Sequence, residues 1–174
     1  MLLVLSSLNG ERIRILDILS LEDKMKLKDL AEKLGISLGR TLGLTTNLVK
    51  KGYIRKVGSA FSLSRQGRVA LKELRPIRVE EGFRFYVDIG EYTGLTAYSL
   101  EDFLENIGKV DIKSIEFHTS RGDFEKWIRD VFHDRAIEQE ITRIRERELK
   151  GETLRSKIRE VVYAKLKSLM EEFP

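Results

Sequence analysis

Apolar residues recur at helical spacing through the first part of the chain. The spacing predicts a first helix over residues 10–20. A short second helix follows, with apolar residues at positions i, i+3, i+4 and i+7, and Gly35 is placed to end it in a left-handed conformation. Ser37 can cap a third helix that ends at Gly52. The inward positions of this third helix are Thr41, Leu44, Thr45 and Leu48.

The pattern changes from helical to β-prone after the third helix. Residues 53–57 and 60–63 predict two strands, and Gly58 with Ser59 supplies the two-residue turn of a hairpin. A fourth helix follows, which Ser64 can cap and which Pro76 ends. The second and third helices, joined by a three-residue turn, predict a helix-turn-helix, and the hairpin predicts a wing beside it.

The second half of the chain mixes strand-like and helical patterns. Residues 83–89 alternate between apolar and polar positions, which is typical of a strand with one buried face. The elements predicted after it are a loop at residues 90–94, a helix opened by Ser99, a strand at about 113–118, a helix capped by Asp123, and two long helices at about 135–149 and 153–172. This order predicts a small α+β domain with long C-terminal helices.

Residues 75–77 form a tight boundary between the two halves, because no Gly or Ser run follows them. The predicted domains are therefore residues 1–75, a three-helix bundle with a β-hairpin wing, and residues 76–174. The overall fold class is α+β.

Charge divides in the same way as the pattern. Residues 1–75 carry 15 Lys and Arg against 7 Asp and Glu, a net charge of +8, whereas residues 76–174 carry 17 against 21, a net charge of −4. A basic domain joined to an acidic one is typical of a phosphate-binding module beside a module with another role. The alternative is chance clustering of solvated charges.

Three segments of the basic half resemble a known family. They are LKDLAEKLGIS at residues 27–37, VKKGYI at 49–54 and FSLSRQGR at 61–68. In order and spacing they are similar to the helix-turn-helix and wing exit of winged-helix regulators of the MarR and ArsR type. The resemblance implies that the third helix lies in the major groove of duplex DNA while the wing contacts the backbone or the minor groove.

The residues of this sequence that fit those two roles differ in type. The candidates for facing the groove are Arg40, Thr46, Asn47 and Lys50, of which Arg40 suits guanine and Asn47 suits adenine. The candidates for phosphate contacts are Lys26, Lys28, Lys51, Arg55 and Lys56. For each lysine the alternative is an ordinary solvated side chain.

The third helix departs from the family pattern in its first turns. Leu38, Gly39, Leu42 and Gly43 stand where such helices usually carry exposed polar residues. Each glycine in a helix costs about 1 kcal/mol relative to alanine. The departure leaves few side chains to read bases, and it keeps open the alternative that the two leucines face a protein partner.

The acidic half contains one polar cluster but no catalytic motif. Over about residues 82–172, and on the segments 83–103 and 114–130, it resembles a domain of unassigned function in archaeal proteins, which implies an archaeal origin. Its richest polar cluster is Glu116, His118, Arg121 and Asp123. Glu116 and His118 on one strand face can bind a metal weakly, and a helix N-terminus beside Arg121 can hold an anion. A helix cap, a surface ion pair and a satisfied histidine explain the same residues, so no metal, cofactor or catalytic residue is assigned.

Two further features bear on compartment and assembly. The chain has no cysteine, which favours a reducing, cytoplasmic compartment, and the apolar run at residues 2–5 is too short for a signal peptide or a membrane span. The last predicted helix carries a broad apolar stripe, which packs on its own domain or pairs with a second subunit. The stripe consists of Leu154, Ile158, Val161, Val162, Leu166, Leu169 and Phe173.

Together these patterns predict a cytoplasmic transcriptional regulator without enzymatic activity that binds double-stranded DNA as a homodimer. Residues 76–174 would serve dimerisation, sensing of an unidentified small-molecule effector, or partner contact. One alternative is a winged helix that binds protein instead of DNA. The other is an enzyme in the second domain, with the winged helix as a localising arm.

Overall fold

The computed structural model describes residues 10–173, and the chain forms two compact units. Of the described residues, 10–72 and 170–173 belong to the first unit, and 73–169 belong to the second. The last described residues of the chain cluster with the first unit. No helix in the described part of the chain is long and apolar enough to cross a membrane. The apolar run at residues 2–5 lies outside the described residues.

The first unit has the helix order that the sequence predicts. Its helices are α1 (Glu11–Leu21), α2 (Leu27–Leu34), α3 (Leu38–Lys50) and α4 (Arg65–Glu73). The predicted hairpin is β2 (Ile54–Val57) and β3 (Ala60–Leu63), and a two-residue strand β1 (Met25–Lys26) adds to it as an antiparallel neighbour of β3. The hairpin forms the wing. The strand β1 was not predicted, because two residues are too few to show an alternating pattern.

Local chemistry positions α3 against α2. Gly35 has a φ of 69°, and its N–H donates to the carbonyl oxygens of Ala31 and Glu32, which ends α2. The Ser37 hydroxyl accepts a hydrogen bond from the Arg40 N–H at 3.3 Å, which starts α3. The helices pack through a core that contains Leu16, Leu19, Leu30, Leu34, Leu48, Ile54 and Leu63, all of them buried.

Two contacts complete the first unit. Gly67 in α4 lies so close to the preceding hairpin that a Cβ atom there would be 2.1 Å from the carbonyl oxygen of Tyr53. From the end of the chain, Phe173 is fully buried and packs edge-on against the Tyr53 ring at 4.9 Å between centroids. The C-terminal residues are thus part of the hydrophobic packing of this unit.

The second unit is a β-hairpin covered by helices. Antiparallel strands β4 (Phe83–Asp88) and β5 (Glu91–Ala97) follow a single 3₁₀ turn, Val79–Glu81. The helices after them are α5 (Leu100–Lys109), α6 (Ile112–Arg121), α7 (Asp123–Trp127), a π-helical turn (Ile128–Phe132), α8 (Arg135–Glu146) and α9 (Gly151–Glu172). The core is rich in aromatic rings, with Phe83, Phe85, Phe103, Phe124 and Trp127 in mutual contact.

Two predicted elements of the second unit are wrong. The predicted loop at residues 90–94 is part of β5, because only Gly90, with a φ of 80°, is needed for the turn between the strands. The predicted strand at residues 113–118 is the helix α6. Asp111 caps this helix by accepting from the Lys113 N–H at 2.8 Å, and Gly122, with a φ of 70°, ends it.

The apolar stripe of α9 packs within its own chain. Leu154, Ile158, Val162 and Leu166 are part of the core of the second unit, and each is at most 1% exposed. Of the two alternatives left open by the sequence, these contacts support packing on the same chain. The stripe is therefore not available as a surface for pairing with a second subunit.

A buried ionisable group lies in the second unit. Glu73 is fully buried, and its Oε2 lies 3.2 Å from the Lys165 ammonium, which in turn lies 2.7 Å from Asp134 Oδ2. Neither oxygen of Glu73 accepts a well-formed hydrogen bond from the described residues. Burial raises the pKa of Glu73 to about 9, whereas its neighbours hold the pKa of Asp134 at about 2. Burial therefore favours the protonated form of Glu73.

Candidate nucleic-acid interface

The helix α3 has one buried face and one open face. Thr41, Thr45 and Leu48 are buried, and the two threonine hydroxyls donate to backbone carbonyl oxygens of the same helix. Because both hydroxyls already have hydrogen-bond partners, the two threonines can be buried without cost, and this face of α3 packs inward. Its other face is exposed and available for contact.

The open face of α3 is apolar in its first turns. Leu38 and Leu42 are 52% and 51% exposed, and Val49, near the end of the helix, is 37% exposed. Gly39 and Gly43 lie beside the leucines, and a Cβ atom at either glycine would meet nothing within 4 Å. We name this surface the apolar face of α3, comprising Leu38, Gly39, Leu42 and Gly43.

Arg40 is exposed but already has a partner. Its Nε donates to Glu11 Oε2 at 2.8 Å, and 65% of the Arg40 side chain is exposed. An exposed ion pair of this kind is worth about 0–1 kcal/mol, so a phosphate or a guanine can compete for the guanidinium. To bind DNA, the Arg40 guanidinium must release the Glu11 carboxylate and pair with a DNA group in its place.

The other three predicted groove residues differ in accessibility. Thr46 and Lys50 are exposed. Asn47 is half-buried, and its Oδ1 is enclosed without a hydrogen-bond partner among the described residues. A bidentate contact with adenine uses both atoms of the amide, so Asn47 must turn outward to make one.

The predicted phosphate contacts lie on three elements of the first unit. Lys26 ends β1, Lys28 lies in the first turn of α2, and Arg55 and Lys56 lie on β2 of the wing. All four are exposed, and within residues 10–173 none of them forms an ion pair. Arg55 donates from Nε to the Ser62 hydroxyl at 3.0 Å, which holds its guanidinium at the wing.

Lys51 differs from these four cations. Its ammonium lies 2.6 Å from Glu172 Oε1, near the end of the chain. The Glu11 and Glu172 carboxylates were missed by the sequence reasoning, because they stand 29 and 121 residues from their partners and no local pattern links them. These carboxylates thus pair with Arg40 and Lys51, two of the nine residues predicted to bind DNA.

The polar cluster predicted in the second unit does not form as expected. Glu116 Oε1 accepts from the Gly151 N–H at 2.9 Å, while His118 bonds elsewhere, because two residues of a helix that are two positions apart point in different directions. Asp123 does not cap α7, whose N-cap is Gly122; instead its Oδ2 pairs with Arg121 and with His118.

His118 is a buried and satisfied histidine. Its Nε2 accepts from the Tyr86 N–H at 2.8 Å, and its Nδ1 lies 2.8 Å from Asp123 Oδ2. The backbone donor leaves the neutral ring with its proton on Nδ1. Burial lowers the pKa of His118, although Asp123 acts in the opposite direction. The ring therefore serves to join β4 to α6.

A comparison with family models supports the interpretation of the first unit. Residues 11–55 match the family described as winged helix-turn-helix DNA-binding, and this range includes α1, α2, α3 and the start of the wing. Searches of curated proteins and of solved structures found no match. The expected resemblance of residues 82–172 to an archaeal domain has no support from these comparisons.

Proposed function

We propose that the chain, in which residues 11–55 form a winged helix-turn-helix DNA-binding domain, is a transcriptional regulator that acts by binding duplex DNA. The observation that carries the proposal is a set of exposed cations on α3, β1, α2 and the wing. Lys26, Lys28, Lys50, Arg55 and Lys56 are exposed and, within residues 10–173, take part in no ion pair.

In the proposed mechanism α3 enters the major groove and the wing lies along the sugar-phosphate backbone. The lysines of β1 and α2 and the two cations of β2 neutralise phosphates on either side of the groove, displacing condensed counterions. These contacts fix the position of the protein on the duplex but carry no sequence information. Discrimination between DNA sequences therefore depends on the side chains of the open face of α3.

We further propose that the protein acts in the cytoplasm as a homodimer without enzymatic activity, with residues 76–174 providing dimerisation, effector sensing or partner contact. A dimer of winged helices reads two half-sites, which suits a regulator of this kind. Since the stripe of α9 is buried, a dimer must use another surface of the chain. Light scattering at increasing protein concentration tests the oligomeric state.

The exposed leucines favour a second candidate, a winged helix that binds protein. Leu38 and Leu42 are about half exposed, and exposed apolar side chains of this size are common at protein interfaces. The exposed unpaired cations of the same unit favour DNA, because a phosphate backbone can form ion pairs with all of them, whereas an apolar protein surface forms none.

A charge-matched pair of variants tests DNA binding directly. Replacing Arg55 and Lys56 by alanine is expected to make the slope of log K against log salt shallower by about 2 on any duplex. The control replaces Lys113 and Lys167, exposed lysines of the second unit, and changes the net charge equally. If the two double variants lose the same affinity, the wing does not contact DNA.

A further inference from the structure

We propose that α3 selects DNA sites through apolar contact with thymine methyl groups, made by Leu38 and Leu42, and that Gly39 and Gly43 let the helix backbone lie close to the base edges. The inference rests on the proposed DNA binding and names the feature of DNA that the helix reads. Thymine is the only standard base that presents a methyl group in the major groove.

The geometry places both kinds of residue on one surface. Leu38 and Leu42 are one helical turn apart, as are Gly39 and Gly43, so each pair lies along the same side of α3. The leucines are half exposed and the glycines have open space above them. A row of two leucines therefore lies beside a strip of bare backbone.

Folding of the chain does not explain the glycines. Both lie within a regular helix and neither has a positive φ, so alanine fits the same backbone. Nothing within 4 Å would contact an added Cβ, so internal packing does not exclude alanine either. A helical glycine costs stability relative to alanine. Close approach of an outside surface gives a physical reason for a bare backbone at these positions.

The polar alternatives on this face are few. The guanidinium of Arg40 is paired with Glu11, and one amide atom of Asn47 is enclosed. Thr46 is the nearest exposed polar side chain one turn beyond Leu42. With little capacity to donate or accept hydrogen bonds, this part of α3 discriminates bases by shape and apolar contact.

The surroundings indicate that the occupant is DNA. Lys50 follows on the same helix, and the unpaired cations of β1, α2 and the wing lie on the neighbouring elements of the unit. An apolar face on a unit that also carries unpaired cations complements a methyl-lined groove bordered by phosphates. The same helix lies inside the range that matches the DNA-binding family.

The experiment compares thymine with deoxyuracil, which lacks only the methyl group. Duplexes are enriched by the full chain from a random 20-base-pair library, and each recovered duplex is then made with either base. Burial of one methyl group is worth about 0.8 kcal/mol, so we expect binding to weaken about fourfold per contacted thymine and roughly tenfold or more for two.

Two variants assign the effect to α3. The variant Leu42→Ala is expected to reduce the thymine-to-deoxyuracil ratio while the salt slope stays unchanged. The control is Leu21→Ala, which removes the same side chain from the end of α1, where Leu21 is 87% exposed, and should keep the full ratio. The variant Gly43→Ala should fold at least as stably as the parent and bind the recovered duplexes more weakly.

The outcomes separate this inference from the proposed function. Equal binding of thymine and deoxyuracil duplexes by the parent protein overturns methyl recognition and leaves DNA binding intact. A ratio that Leu42→Ala leaves unchanged overturns the role of the leucine and favours its use by a protein partner. Absence of binding to every duplex at low salt overturns the inference and the proposed function together.

Discussion

Replacing Gly39 and Gly43 together by alanine should stabilise the protein. In a helix interior alanine is favoured over glycine by about 0.8–1.0 kcal/mol per position. The structure adds no steric cost, because a Cβ at either position meets nothing within 4 Å. Gly43 lies in the interior of α3, whereas Gly39 is the second residue of the helix, where the preference is smaller. The double variant should therefore gain roughly 1–2 kcal/mol in the free energy of unfolding, which for a chain of this length raises Tm by about 2–8 °C.

A matched control uses the same chemical change at a different glycine of the same unit. At Gly67 an added Cβ would lie 2.1 Å from the Tyr53 carbonyl oxygen and 2.7 Å from Leu63 Cδ1, so Gly67→Ala should destabilise the protein by about 1–3 kcal/mol or more. Denaturant titration followed by circular dichroism measures both variants. A double variant of α3 no more stable than the parent would refute the argument that folding of the chain does not require these glycines.

Substitutions at three individual contacts should change DNA affinity, the free energy of unfolding and the pH dependence of stability. Glu11→Gln removes the carboxylate that holds Arg40, so affinity for duplex DNA at low salt should rise roughly two- to fivefold, while Glu22→Gln, which loses a pair with Lys33 instead, should not change it. Phe173→Ala empties a fully buried site beside Tyr53 and should cost about 3 kcal/mol or more in the free energy of unfolding; a loss below about 1 kcal/mol would contradict the packing described. Glu73 has a folded pKa of about 9 against 4.5 for an ordinary Glu, so the folded state holds an extra proton between these values and stability should fall as pH rises from 7 to 9. Glu73→Gln should flatten that decline, and an unchanged pH profile would show that Glu73 is ionised.

The first unit could be predicted closely from the sequence because its signals are local. Gly35, Ser37 and the turn at Gly58 set element boundaries through the chemistry of a few neighbouring residues, and the helical periodicity between them is regular. The contacts that modify the interface were not predictable in this way. The Arg40–Glu11 and Lys51–Glu172 pairs join distant positions, and their formation depends on tertiary packing.

The elements of the second unit were harder to predict, because the apolar spacing and the flanking cap residues indicate different structures. In α6 the apolar residues Ile115 and Phe117 alternate as in a strand, whereas the buried face is Ser114, Ile115, His118 and Thr119. Three of these four are polar or small, so hydrophobicity alone does not reveal the helical period. The flanking residues Asp111 and Gly122 carried the better signal, as a helix cap and a helix end.

The proposed function requires that the first unit bind duplex DNA through the exposed cations of β1, α2, α3 and the wing. Its most direct test is a titration of the full chain with a mixed-sequence duplex at several salt concentrations between about 50 and 200 mM, where log K falls linearly with log salt. The four exposed cations assigned to phosphates, Lys26, Lys28, Arg55 and Lys56, predict a slope approaching about −3.6, from −0.9 for each phosphate neutralised. A slope near zero, or no binding at the lowest salt, would show that these cations do not bind duplex DNA.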